Sequence, residues 1–260
     1  MLIHSRAKPL FRWTLGKVYG LGYDICIESV KRARRIWGDE VDYVVVCNNV
    51  SQHIMEHLRM NLGDILRFAE PNSLPFYPNS LAWKCYPPRL RLNSHELFID
   101  NDLVLLKRSE YIEKFLSGDY VLYNEDIGRG FADFERLVRS VRPEYKIGLN
   151  SGLFGYPPGY DVHTEILKVC TGFRQHLSEQ GLVAYLLLRY PNRVGIPMPF
   201  VFNDNCGNNY LRTYGGLYRN VHLDNMFMST LHGYHFIGAN RGRHNAWAEF
   251  INPRKLTKLL

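Results

Sequence analysis

No stretch of the 260-residue sequence approaches the roughly 20 consecutive apolar residues that a membrane-spanning helix needs. Cysteine is scarce: Cys26, Cys47, Cys85, Cys170 and Cys206 are odd in number, far apart and without a Cys-x-x-Cys pair. That argues against a disulfide framework or a structural zinc site and suits a reducing compartment. Met1 to Arg12 lacks the apolar core of a secretory signal. Internal repeats and low-complexity segments are also missing. These absences lead to the expectation of a soluble, cytoplasmic protein. What is plentiful is core-forming material: at 46% hydrophobic content, 260 residues can bury one full domain. The net charge of +7 favours an anionic partner, and nucleotide phosphates, nucleic acid and acidic lipid all satisfy it.

The apolar pattern alternates between two periods. Phe11–Gly16 reads as a first strand entering a glycine-containing loop, and Ile25, Ser29, Ala33 and Ile36/Trp37 recur at helical spacing up to Gly38. Lys31, Arg32, Arg34 and Arg35 crowd the other side of that helix. They suit a solvated basic face or, alternatively, a peripheral contact with an anionic membrane or polymer. Val41–Cys47 is a continuous apolar run, as in a parallel strand covered on both faces. Ser51 is placed to cap a helix running to Gly63, and Ile65–Phe68 is a third short strand. This alternation predicts an α/β domain with a mixed, mostly parallel central sheet flanked by helices. Pro71–Pro88 reads as an ordered loop. Further on, the pattern predicts a strand at Tyr120–Tyr123, a polar loop at Asn124–Gly130 and a helix at Phe131–Val141. A strand at Lys146–Tyr156, broken by small polar residues, comes next, with helices at Asp161–Leu177 and Ser178–Leu188 and a strand at Ile196–Phe202. Asn203–Asn225 has no clear periodicity.

The chemistry concentrates at four places. In His95–Leu106 two apolar runs flank Asp100, Asn101 and Asp102. Carboxylates at the end of a buried strand are costly to desolvate unless a cation or hydrogen bonds compensate them. Hard divalent cations favour such ligands, although Asp-Asn is equally ordinary turn chemistry. Asn150-Ser-Gly152 lies inside a strand, where a glycine often marks close approach by a ligand or another segment. Glu179 and Gln180 open a helix, either complementing its dipole or serving a reaction. Finally, Leu231–Trp247 packs three histidines and two arginines into a glycine-rich stretch. Imidazole suits divalent metals and guanidinium matches phosphate.

Taken in order, the Asp-x-Asp strand end, Asn150-Ser-Gly152, Glu179-Gln180 and His235-Phe-Ile-Gly238 with a following basic stretch and Trp247 resemble the metal-dependent glycosyltransferases of the GT-A fold, and family 8 in particular. The resemblance spans Phe11 to Trp247. It implies a single domain over residues 1–260, with a nucleotide-binding half at about 9–106 and a sugar- and acceptor-binding half at about 107–250. It further implies Mn²⁺ or Mg²⁺ held by Asp100, Asp102 and His235 against the diphosphate of a nucleotide sugar, with a UDP-sugar as the expected donor. Asn150, Ser151, Glu179 and Gln180 would line the sugar pocket, and Glu179 and Gln180 are the catalytic candidates. Trp13, Thr14 and Gly16 would hold the nucleobase. Lys84, Asn101, Gly238, Arg241 and Arg243 complete the nucleotide contacts. The acceptor would be a hydroxyl of a carbohydrate, a lipid-linked sugar or a protein, and no nucleic acid is expected. The family's Lys-Pro-Trp ending is replaced here by Arg241-Gly-Arg-His-Asn-Ala-Trp247, and its frequent Asp at the acidic helix start by Glu179. Three other readings share some of these features. A sugar-nucleotide nucleotidyltransferase would carry a basic glycine-rich loop straight after its first strand, which Leu15–Gly22 only faintly imitates. A non-enzymatic basic binding module would leave the Asp pair unexplained. A glycosidase would need two opposed carboxylates and no metal.

Overall fold

The computed structural model describes residues 7–18, 22–68, 84–85, 88–126, 135–141, 148–170, 179–197, 200–203 and 231–235. Strand β1 (Leu10–Leu15) leads to helix α1 (Gly22–Trp37) and a single 3-10 turn; β2 (Asp42–Cys47), α2 (Gln52–Leu62) and β3 (Leu66–Phe68) follow. Next come β4 (Glu96–Asp100), β5 (Leu103–Leu105), α3 (Glu110–Ser117), β6 (Val121–Asp126), α4 (Glu135–Val141) and β7 (Gly148–Tyr156). The described chain ends with α5 (Val162–Cys170), α6 (Glu179–Arg189), β8 (Arg193–Ile196), β9 (Val201–Asn203) and β10 (Gly233–His235).

Seven strands form the main sheet in the order β3-β2-β1-β4-β7-β6-β8. Only β7 runs against its neighbours, so the carboxyl ends of the other six lie along one edge. This is the mixed, mostly parallel α/β sheet that the apolar runs predict. Both faces are covered. Phe11, Trp13, Leu15, Leu97 and Ile99 pack with α1 and α2 residues such as Val30, Trp37, Met55 and Leu58. Phe98, Phe154 and Tyr156 pack on the other face with Val162 and Ile166 of α5 and with Leu182 and Leu186 of α6. A three-stranded sheet, β5-β10-β9, is attached at the carboxyl edge, immediately after β4.

Local chemistry explains several element ends. Gly63 has φ +75°, a conformation that L side chains rarely adopt, and its N–H donates to the Arg59 carbonyl as α2 stops. Ser51 occupies the residue before α2, but its hydroxyl pairs with His53 Nδ1 at 3.1 Å and makes no capping bond. The basic side of α1 is engaged within the chain: Arg32 and Arg35 reach Glu28, Lys31 reaches Asn61, and Arg34 donates to the Leu62 carbonyl at the end of α2. Cations at a helix carboxyl end complement its dipole.

Three sequence expectations change. Ile196–Phe202 is two strands in two different sheets, because Pro197 has no N–H for a ladder and its carbonyl instead accepts from Phe200 in a turn. Asn124–Asp126 is the end of β6 instead of a loop, and Asn124 and Asp126 are fully buried. The strand β7 is continuous through its small polar trio; what breaks is the ladder, which steps from Tyr123↔Phe154 to Asn124↔Asn150. Most of the Pro71–Pro88 loop, residues 171–178 and the segment 204–230 lie outside the described residues. No helix among the described residues is long and apolar enough to cross a membrane.

Candidate active site

Strand pairing assembles the site. β4 ends at Asp100, the chain turns through Asn101 and Asp102, and β5 begins at Leu103. β10 lies antiparallel to β5 with His235 opposite Leu103, so the strand end delivers the imidazole beside the turn. His235 Nε2 sits 3.1 Å from Asp102 Oδ1 and 3.8 Å from Asp100 Oδ2. One ligand atom from each of the three residues lies within 4.8 Å of the other two. Two carboxylates and an imidazole form a donor set suited to Mn²⁺ or Mg²⁺. Gly152 makes the arrangement fit: a Cβ there would meet His235 Cε1 at 2.3 Å and Nδ1 at 2.7 Å.

The turn holding Asp102 is itself anchored. Ser29 of α1 donates to the Leu103 carbonyl at 2.5 Å and accepts from the Trp13 indole N–H at 2.8 Å. Trp13 is thereby accounted for. Its indole is turned into the core with Phe11 and Leu15, and only Thr14 and Gly16 of the expected nucleobase trio stand near the strand end. Thr14 pairs in register with Asp100 across β1 and β4.

Lys84 links the acidic turn to α6. Its ammonium lies 2.9 and 3.0 Å from the two oxygens of Asp100 and 2.5 Å from Glu179 Oε1. Glu179 is buried and bonded to Ser151 as well. Asn150 completes the wall: its Oδ1 accepts from the Gly152 N–H at 2.8 Å and its Nδ2 faces Asp126 Oδ2 at 3.4 Å. Gln180, the next residue of α6, is half-buried. Thus β1, β4, β7, β10, the Lys84 turn and the first turn of α6 converge on one place.

Burial and charge set the protonation of these groups. Desolvation would lower the Lys84 ammonium, but Asp100 and Glu179 raise it above its ordinary value. Burial would raise Asp102, yet His235 and Lys84 hold it below the usual carboxylate range. For Glu179 the balance reverses, because burial outweighs the pull of Lys84 and Asp100 adds repulsion, so its carboxyl is raised.

The late histidines separate into different roles. His232 pairs with Ser109 at 3.0 Å and packs its ring against Phe200, tying β10 to the start of α3, and burial lowers its pKa. His235 alone of the described histidines reaches the acidic turn. Gly238, Arg241, Arg243, His244 and Trp247 lie outside the described residues. Sequence reasoning missed Asp126. The available signal was the run Val121–Asp126: once it is read as one strand parallel to β4, its acidic end falls on the same edge as Asp100.

No protein-family profile matches the sequence, and no curated protein is detectably similar to it. Solved structures do match. A galactosyltransferase, LgtC, solved with donor and acceptor sugar analogues, superposes with a TM-score of 0.56 at 14% identity, over 95% of this chain and 94% of that one. Mouse xyloside xylosyltransferase 1 gives 0.51 at 13% identity, over 91% and 100% of the two chains. The apo glycosyltransferase GlyE of Streptococcus pneumoniae gives 0.54 at 12% identity, over 96% of this chain and 62% of that one. The fold is therefore the GT-A fold.

Proposed function

We propose that the chain is a metal-dependent glycosyltransferase that moves a sugar from a nucleotide-diphosphate sugar, in our reading a UDP-sugar, to a hydroxyl acceptor. The observation that carries this reading is the convergence of Asp100, Asp102 and His235 beside Lys84 and Glu179 on a GT-A fold. Asp100, Asp102 and His235 would hold Mn²⁺ or Mg²⁺, which when bound would supply Lewis-acid neutralisation of the diphosphate leaving group. Lys84 stands where a phosphate oxygen can replace a carboxylate as its partner. Thr14 and Gly16 at the end of β1 would face the nucleobase. Asn150 and Ser151 would contact the sugar. Glu179, whose carboxyl burial raises above its ordinary value, would as the carboxylate accept the acceptor's proton if configuration inverts; with retention, Glu179 or Gln180 would face the anomeric carbon. For the acceptor, carbohydrate hydroxyls are the choice closest to the LgtC complex with its acceptor analogue. A membrane contact through α1 draws no support from its basic side chains, which are bonded internally.

Thermal denaturation with a nucleotide panel tests the reading. UDP or a related nucleotide should raise the melting temperature, and more with Mn²⁺ than with EDTA. Identical curves across the panel would overturn the nucleotide-diphosphate site. Release of a nucleoside diphosphate with a glycosylated product, instead of pyrophosphate, separates the transferase from a nucleotidyltransferase.

A further inference from the structure

Arg12 is the only charged residue in the β1 run Leu10–Leu15, and its side chain has no exposed surface. A guanidinium stays charged when buried, so it needs compensation. The parallel register of β1 and β4 supplies it, pairing Leu10 with Glu96, Arg12 with Phe98 and Thr14 with Asp100. Glu96, Phe98 and Asp100 alternate along β4 and so share one face. Arg12 Nη1 donates to Glu96 Oε1 at 3.1 Å, and its guanidinium carbon lies 4.5 Å from the Phe98 ring centroid. Its Nη2 points to the backbone carbonyl of Lys84, at a long 3.5 Å. Lys84 is the residue whose ammonium lies between Asp100 and Glu179. The following residue, Cys85, packs with Phe98 in the same apolar cluster. Lys84 is therefore held at two points, its ammonium by the carboxylates and its backbone by Arg12.

Glu96 does not depend on Arg12 alone. Its other oxygen accepts from Arg89 and from the N–H groups of Leu90 and Arg91. A buried ion pair is by itself weak evidence for stability. What sets Arg12 apart is its second hand, directed at the backbone that carries Lys84. We propose that Arg12 is a positioning residue, fixing the Lys84 turn on the Glu96–Phe98–Asp100 face so that the ammonium is delivered between Asp100 and Glu179. The consequence for donor binding rests on the transferase reading above; the positioning itself does not.

Amine-reactive labelling read by mass spectrometry tests it on metal-free protein. Lys84 is 13% exposed and Lys168 58%, so Lys168 serves as the internal reference. Arg12→Met should raise Lys84 labelling several-fold relative to Lys168. Arg12→Lys keeps a cation for Glu96 but has one ammonium in place of a fork. It should recover much of the melting temperature while leaving Lys84 labelling high. Leu58→Ala, which opens the core beneath α2, should lower the melting temperature without exposing Lys84. Equal Lys84 labelling in wild type and Arg12→Met, or the same increase in Leu58→Ala, overturns the proposal. Calorimetry with Mn²⁺ and UDP adds a second arm. Arg12→Met should weaken binding about tenfold, the scale of outer-shell effects, and add nothing in a Lys84→Met background. Additive losses overturn the proposal, whereas a wild type that binds no UDP overturns the transferase reading and leaves the labelling result decisive for Arg12.

Discussion

Two groups of charges centre on one face of β4, at Glu96 and Asp100, and they are satisfied in opposite ways. Around Glu96, at the start of the strand, the chain answers its own charges: two guanidiniums and two backbone N–H groups meet one carboxylate, and Arg89 donates besides to the carbonyls of Arg91, Ser94, Pro157 and Tyr160. Around Asp100, at the end of the strand, Asp102 and Glu179 join it with Lys84 as the cation between two of the three carboxylates. Carboxylates gathered in a poorly hydrated place repel one another unless a cation is added. The first group finds its counter-charges within the chain, whereas the second, on the transferase reading, is completed by a ligand. A molecule selected only for stability would have treated both ends like the first.

The largest effect should follow from removing a carboxylate at the open end. Asp102→Asn keeps the shape but offers a neutral amide, a poorer ligand for a hard cation. Mn²⁺-dependent UDP binding should fall by about 100-fold or more, at the upper end of what even outer-shell ligand changes produce. The fold should stay intact with at most a modest fall in melting temperature, since the carboxylate that His235 and Lys84 favour is lost. Calorimetric titration beside thermal denaturation reads both, and wild-type affinity would sink the metal assignment. Glu179→Gln sharpens the same contrast through turnover. If Glu179 acts on the transition state, kcat should drop by about 10²–10⁴-fold with donor affinity nearly intact. If it only complements the dipole of α6, the loss is about 0.3–1 kcal/mol of stability with near-normal kcat.

Next in size is Gly152→Ala. The added methyl would have to displace the His235 ring, 2.3 Å away, so the imidazole should leave the carboxylates. Overpacking of this kind costs about 1–3 kcal/mol. Metal affinity should fall about 10–100-fold, as for other changes that disturb a ligand's orientation. The double variant with His235→Ala should recover part of the stability, because the contact with Asn150 Oδ1 at 2.8 Å remains, and should not recover the affinity. Failure of that recovery would mean that Gly152 serves something other than the histidine.

The parts of this arrangement that are legible in the sequence are those where local chemistry and tertiary position agree. Val41–Cys47 reads as a covered strand because its run is apolar and β-branched, and β2 occupies Asp42–Cys47. Asp100, Asp102 and His235 can be selected because their residue types are unusual where they stand, at a strand end and in a glycine-rich stretch. Trp13 shows the complementary limit: in a strand covered on both faces the apolar run has no alternation, so nothing in it says which face its indole takes. Asn124–Asp126 resembles a loop because three polar residues in a row have no strand signal, although buried hydrogen bonding holds them there. Arg12 stands out as the one charge in an apolar run, but nothing local says what it meets, since its partners lie 72 and 84 residues away along the chain. Pairing across the sheet, which fixes register, is what a single strand cannot report.

The smallest effect on binding should come from the closed end. Arg89 has only 6% of its side chain exposed, and burial pushes its guanidinium pKa down against the pull of Glu96. It holds the residues before β4 to the Pro157–Tyr160 turn through four carbonyls. Arg89→Met strips those acceptors of their donor and removes one partner of a buried pair, a change that typically costs about 3–5 kcal/mol. None of its partners belongs to the acidic turn, to Lys84 or to α6. At a temperature where the variant is still folded, its affinity for Mn²⁺ with UDP should match the wild type within titration error, while its melting temperature falls steeply. Arg12→Met should lose affinity as well as stability, because Lys84 loses its backbone anchor even though Glu96 keeps Arg89. The two arginines share one carboxylate, so a purely structural cluster predicts that they fail alike. Parallel losses of stability and of affinity in both variants would erase the division between the two ends of β4. A loss of affinity in Arg12→Met alone would locate it at the Lys84 carbonyl.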